Sequence, residues 1–150
     1  MTPKTDLATA KKQALALHKQ GHLTQAEHAY QAILVHHPQE LSALHLLGVL
    51  YQQQAKFELA LTQLKQVLAL KPHAPDVLLL AGIISGQLEH HTEALSYFNQ
   101  VIALQPEDVA SHYNRAIACN KLQYYQDALV SLNWVIQQKA NHAEALNLRG

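Results

Sequence analysis

Residues 41 to 72 read LSALHLLGVLYQQQAKFELALTQLKQVLALKP. Leu44, Leu47, Gly48 and Tyr51 recur at three- and four-residue intervals, the spacing of one face of a helix. Phe57, Ala60, Leu64, Val67 and Leu68 repeat that pattern after a short break around Ala55. Pro72 then closes the pair, because the residue before a proline is driven out of the helical region. The stretch predicts two amphipathic helices joined by a tight turn. It is not unique in the chain. Ala26, Ala60, Ala94 and Ala128 fall 34 residues apart, and Pro38, Pro72 and Pro106 keep the same step. A fixed period of this size is the mark of a repeat architecture, in which each repeat buries its apolar face against its neighbours.

Working outward, a polar lead-in covers residues 1–6 and ends on Asp6, whose carboxylate is a candidate cap for the helix that follows. Repeats are then expected over 7–40, 41–74, 75–108 and 109–142, as one continuous domain. Gly21 stops the first helix of repeat one. Pro75 opens repeat three at a first helical position, where its missing N–H costs nothing, and Asp108 is a second candidate cap. Residues 143–150 begin a fifth repeat in register and read as a truncated start. The expected fold class is all-α, built from antiparallel helix pairs.

Composition narrows the function. Eleven basic and eleven acidic residues leave a net charge of zero, so no global field recruits nucleic acid or an anionic membrane surface. Cys119 is the one cysteine and reads as a small buried apolar residue, with no disulfide possible within the chain. The opening residues MTPKTDLATAKKQ lack a signal-peptide apolar core, and no run reaches the roughly 18 apolar residues of a spanning helix. A cytoplasmic protein without membrane insertion is the expectation. No nucleophile motif or Gly-rich phosphate loop is present, so neither catalysis nor a cofactor is expected. His18 and His22 stand four apart, yet Gly21 interrupts the helix between them and no third ligand has suitable spacing. Zinc takes three or four protein ligands, so no metal site is expected either.

The pattern resembles the tetratricopeptide repeat, whose signature is W-x2-L-G-x2-Y, then A-x3-F, then P. Repeat two supplies Leu44, Leu47-Gly48, Tyr51, Ala60, Leu64 and Pro72, and repeat three supplies Leu78, Ala81-Gly82, Ala94, Phe98 and Pro106. Repeat one departs from it at Ala14 and Leu17, and repeat four at Ala116, Cys119 and Ala140. The resemblance runs over residues 7–150 and implies a right-handed α-solenoid, the tetratricopeptide superhelix, with a concave groove lined by one face of each first helix.

Carried onto this chain, the groove would comprise Lys11 and Leu15, then His45, Val49 and Gln52, then Leu79 and Ile83, then Tyr113, Ile117, Asn120 and Lys121. His18 and Gln53 occupy further groove positions. The resemblance implies a scaffold or adaptor that holds a peptide or a partner helix there, with no chemistry of its own. Co-chaperone members clamp a terminal carboxylate, but the matching residues here are Lys11, Leu15, Leu46, Asp76 and Leu80, of which only Lys11 agrees. Glycosyltransferase members carry a ladder of asparagines, and here Asn114 alone stands at that position. The alternative expectation is therefore the substrate-recruiting arm of a larger enzyme such as a glycosyltransferase, its catalytic domain outside this chain. Repeat arrays need a polar terminal helix, and the carboxyl-terminal end lacks one, so self-association through Leu132, Trp134, Val135, Ile136 and Leu146 is expected.

Overall fold

The computed structural model describes residues 6–149, with side chains described through Asn141. The described residues form helices joined by short turns, in two compact units divided after Pro72. The amino-terminal unit holds α1 (Leu7–Lys19), α2 (Leu23–His36), α3 (Leu41–Gln53) and α4 (Phe57–Leu70). The carboxyl-terminal unit holds α5 (Pro75–Gln87), α6 (His91–Leu104), α7 (Val109–Lys121) and α8 (Tyr125–Arg149). Both units are all-α. Helices pair as α1 with α2, α3 with α4, α5 with α6 and α7 with α8, and within a unit each pair packs on the next.

Two kinds of turn alternate. Each first helix ends in a Schellman motif. In repeat one the Gly21 amide donates to His18 O at 3.1 Å and the His22 amide to Leu17 O at 2.9 Å. The same pair of bonds recurs at Ala55, Glu89 and Gln123. All four corner residues are left-handed, with φ of 81° at Gly21 and 58°, 62° and 65° at the other three. Glycine marks the first corner in the sequence, and the apolar pattern alone marks the break around Ala55. Each second helix of the first three repeats ends differently. His37, Lys71 and Gln105 precede prolines and are pushed to φ near −134°, −139° and −135°, outside the helical region.

Repeat four has Ala140 in place of that proline, and α8 runs on without a break to Arg149. The turn expected there is absent, because nothing in Gln138-Lys139-Ala140-Asn141 opposes helical dihedrals. The capping expectation divides as well. Asp108 accepts from the Ser111 amide at 2.9 Å, whereas the Asp6 carboxylate makes no capping bond to α1.

Small residues set how closely paired helices approach. A Cβ on Gly48 would lie 2.9 Å from Leu64 Cδ2, and one on Gly82 would lie 2.6 Å from Phe98 Cε1. Ala60 and Ala94 on the partner helices are fully buried. The core is thereby filled by Tyr30, Leu47, Leu50, Leu64, Leu78, Ile84 and Phe98, each worth roughly 1.5–3 kcal/mol relative to an exposed position. Cys119 is buried as expected, and burial raises its thiol pKa. Such a thiol is a poor nucleophile.

Candidate peptide-binding surfaces

In the amino-terminal unit, α1 and α3 lie side by side and two polar ties join this part of the unit. Lys11 Nζ meets Glu40 Oε1 at 2.8 Å, and the Ser42 hydroxyl donates to the same oxygen at 2.7 Å. Those two contacts, Lys11 first, hold the Glu40 carboxyl below its usual pKa. Further along α1, His18 Nε2–H donates to Gln53 Oε1 at 2.8 Å, which leaves Nδ1 to accept from the Tyr30 hydroxyl at 3.0 Å. Tyr30 is buried, and burial raises its phenol pKa to about 12. Both ring nitrogens of His18 are thus engaged within the fold. Among the described residues no three His, Cys, Asp or Glu side chains gather to hold a metal ion.

The two ties flank a hollow of about 380 Å³. Its floor is Leu15, Tyr30, Ala43 and Leu46, and its rim is Ala8, Lys11, Lys12 and Ser42. The structure therefore brings Lys11 and Leu15 to one hollow. His45, Val49 and Gln52 sit half-buried on α3 outside this hollow. Leu46 is one of the clamp positions that the sequence fails to match, and Lys12, Tyr30 and Ala43 join it in the lining. Tyr30 and Ala43 carry no sequence signal that separates them from core residues.

The carboxyl-terminal unit presents a different face. Leu79 and Ile83 are half-buried and pack against the cluster of Ala94, Phe98 and Ala118, so much of their surface is spent on the fold. Tyr113 and Ile117, one turn apart on α7, are 50% and 44% exposed, and Asn120 and Lys121 continue that exposed surface. Asn114, the single position matching the asparagine ladder, donates its amide to Ala110 O at 2.8 Å and so is tied to its own helix.

At the far end of this unit α8 carries Tyr125, Leu129, Leu132 and Ile136 at helical spacing, exposed by 57%, 52%, 37% and 62%. The corresponding residues of repeat three, Leu95 and Phe98, pack in a cluster with Ala94, with Leu79 and Ile83 of α5 and with Ala118 of α7. Two expectations for this end need correction. Val135 is buried, because it faces inward on α8, and offers nothing to an outer surface. Trp134 is half-buried in a stack on His112, with ring centroids 3.8 Å apart and planes 21° apart, while His112 Nε2–H donates to Pro106 O at 2.8 Å. Leu146 falls outside the described side chains. No described helix is long and apolar enough to cross a membrane.

A family model described as the tetratricopeptide repeat matches residues 11–75 and 79–142. Among curated proteins no sequence matches significantly. Among solved structures, MamA of AMB-1 is 21% identical with a TM-score of 0.86, over 90% of this chain and 74% of that one. MamA of Desulfovibrio magneticus RS-1 is 19% identical with a TM-score of 0.85, over 92% of this chain and 78% of that one. A tetratricopeptide repeat protein from Parabacteroides merdae ATCC 43184 is 20% identical with a TM-score of 0.84, over 93% of this chain and 54% of that one. At these identities the likeness is one of fold.

Proposed function

Because this chain belongs to the tetratricopeptide-repeat family, a scaffold for protein interaction, we propose that its first helices hold a peptide or a partner helix without chemistry of their own. The observation that carries the reading is the exposed pair Tyr113 and Ile117 on α7. An aromatic and a branched aliphatic side chain one turn apart, with Asn120 and Lys121 beside them, offer an apolar anchor edged by polar groups. Half-buried Val49 on α3 contributes in the same way within the other unit. Selection of peptides from a displayed library on the intact chain tests this. Tyr113→Ala combined with Ile117→Asp is expected to abolish capture and leave helicity unchanged, since neither side chain fills the core. Capture that survives both changes places the binding surface elsewhere and refutes the assignment.

A second observation supports self-association. Tyr125, Leu129, Leu132 and Ile136 form an exposed apolar stripe along α8, the kind of patch that marks an interaction surface. We propose a second copy of this chain as its occupant, because four large apolar side chains stand exposed at helical spacing on one face of α8. Sedimentation at rising concentration is expected to show association that Leu129→Glu with Ile136→Glu removes. A monomer at every concentration refutes it.

A further inference from the structure

The hollow between α1 and α3 has a chemistry of its own. Its volume of about 380 Å³ exists because Ala8, Ser42 and Ala43 are small where larger side chains would close the space. Leu15, Tyr30 and Leu46 give it an apolar lining, so an apolar side chain entering it loses little hydration that the walls do not repay. The walls are held before any ligand arrives. Glu40 ties to Lys11 on one side, and His18 ties to Gln53 and Tyr30 on the other. A pre-formed site avoids the ordering cost that a floppy one incurs on binding.

The two rim lysines differ. Lys11 is neutralised by Glu40, whereas none of the described residues pairs with Lys12, which stands exposed at the edge of the hollow. The rim thus carries one uncompensated positive charge next to an apolar cavity. A terminal-carboxylate clamp does not fit this arrangement, since Lys11 is already occupied and Leu15 supplies an apolar wall.

We propose that this hollow is a specificity pocket for an internal peptide motif, a bulky apolar residue followed directly by an acidic one. The apolar side chain fills the space above Leu15 and Leu46, and the carboxylate meets Lys12. The proposal deepens the peptide-binding reading above and rests on it.

Three peptides blocked at both ends test it: Ser-Gly-Phe-Glu-Gly-Ser, the same with Lys for Glu, and the same with Ala for Phe. The intact chain is followed by methyl NMR. The first peptide is expected to shift the Leu15, Ala43 and Leu46 methyls in a saturable way. Lys for Glu should weaken binding about fivefold, the order a solvent-exposed ion pair supplies, and Ala for Phe should remove the shifts. Ala8→Trp, on an exposed position, should fill the hollow and abolish the shifts at an unchanged melting temperature. Lys12→Glu should reverse the preference between the Glu and Lys peptides.

Equal response to all three peptides overturns the proposal, as does an Ala8→Trp chain that still binds. Contacts from Met1 to Leu46 in the free chain, or Leu46 shifts that depend on protein concentration alone, overturn it in favour of the chain's own terminus or a second copy. Shifts confined to Ile117 and its neighbours remove the pocket and leave the peptide-binding reading standing. Loss of both sets of shifts, with no peptide recovered from the display library, removes the two together.

Discussion

Replacing Gly82 with alanine sets two effects of known size against each other. Alanine is favoured over glycine inside a helix by about 1 kcal/mol. The added Cβ, however, would lie 2.6 Å from Phe98 Cε1, 2.9 Å from Cδ1 and 3.0 Å from Cζ. All three atoms belong to one rigid ring that is buried against Ala94 and Ala118, so relief requires the ring or a whole helix to move. Overpacking of this kind costs roughly 1–3 kcal/mol, which outweighs the helical gain and leaves a net loss of about 1 kcal/mol. For a chain of this length that lowers the melting temperature by roughly 2–4 °C.

At Gly48 the nearest atom is the end of Leu64 at 2.9 Å, and a branched side chain turns aside more readily. Gly48→Ala is therefore expected to be close to neutral. The decisive measurement is a double-mutant cycle by urea and thermal unfolding. Phe98→Leu leaves room for the methyl group, so the Gly82→Ala, Phe98→Leu chain should exceed the additive expectation by about 1 kcal/mol, within the range for residues in contact. Additivity within about 0.3 kcal/mol, or a Gly82→Ala chain more stable than the parent, refutes the packing argument.

Four further substitutions follow from the same structure. Glu89 sits at φ 62° in a Schellman corner, so Glu89→Gly should stabilise by about 0.5–1 kcal/mol in thermal melts despite the extra entropy of unfolded glycine, and Gly21→Ala should lose a similar amount. Ser85 is fully buried and its hydroxyl finds no hydrogen-bond partner among the described residues, and Ser85→Ala should raise stability to urea by about 0.5–1 kcal/mol. A lower midpoint in either stabilising variant counts against these assignments. The folded-state pKa of Glu40 is depressed, so its ionised form adds stability that is present above the unfolded carboxyl value of about 4.3 and is lost as pH falls through the folded value. Glu40→Gln should thus lower the melting temperature at pH 7 by a deficit that shrinks as pH falls below about 4.3, and a difference independent of pH contradicts the Lys11–Glu40 tie.

Much of the architecture was legible because period and punctuation are local properties. Pro38, Pro72 and Pro106 act on the residue just before them, and the apolar stripes follow from helical geometry alone. The break around Ala55 was legible from the apolar pattern, but the left-handed dihedrals at Ala55, Glu89 and Gln123 were not, since none is a residue that seeks positive φ. The surrounding helix pairs force the dihedral, and tertiary packing prevailed over propensity. The long α8 was missed for the converse reason. A repeat register predicts a turn at Ala140, but register exerts no force, and only a proline or a covering helix would have broken the chain there.

The binding surfaces divide along the same line. Thirty-four-residue spacing in the chain was enough for the helix pairs and the family, and the resemblance it carries implied which first-helix positions line a groove. Which of those residues remain free was decided by packing between helices distant in sequence. Leu79 and Ile83 are drawn into the Phe98 cluster while Tyr113 and Ile117 stay exposed. Lys11 is neutralised by Glu40 and Lys12 is not, although the two lysines are adjacent in the chain. Periodicity gives a direction around one helix axis. Charge pairing and cavity volume depend on which side chains of another helix arrive there, and the linear pattern carries no term for that.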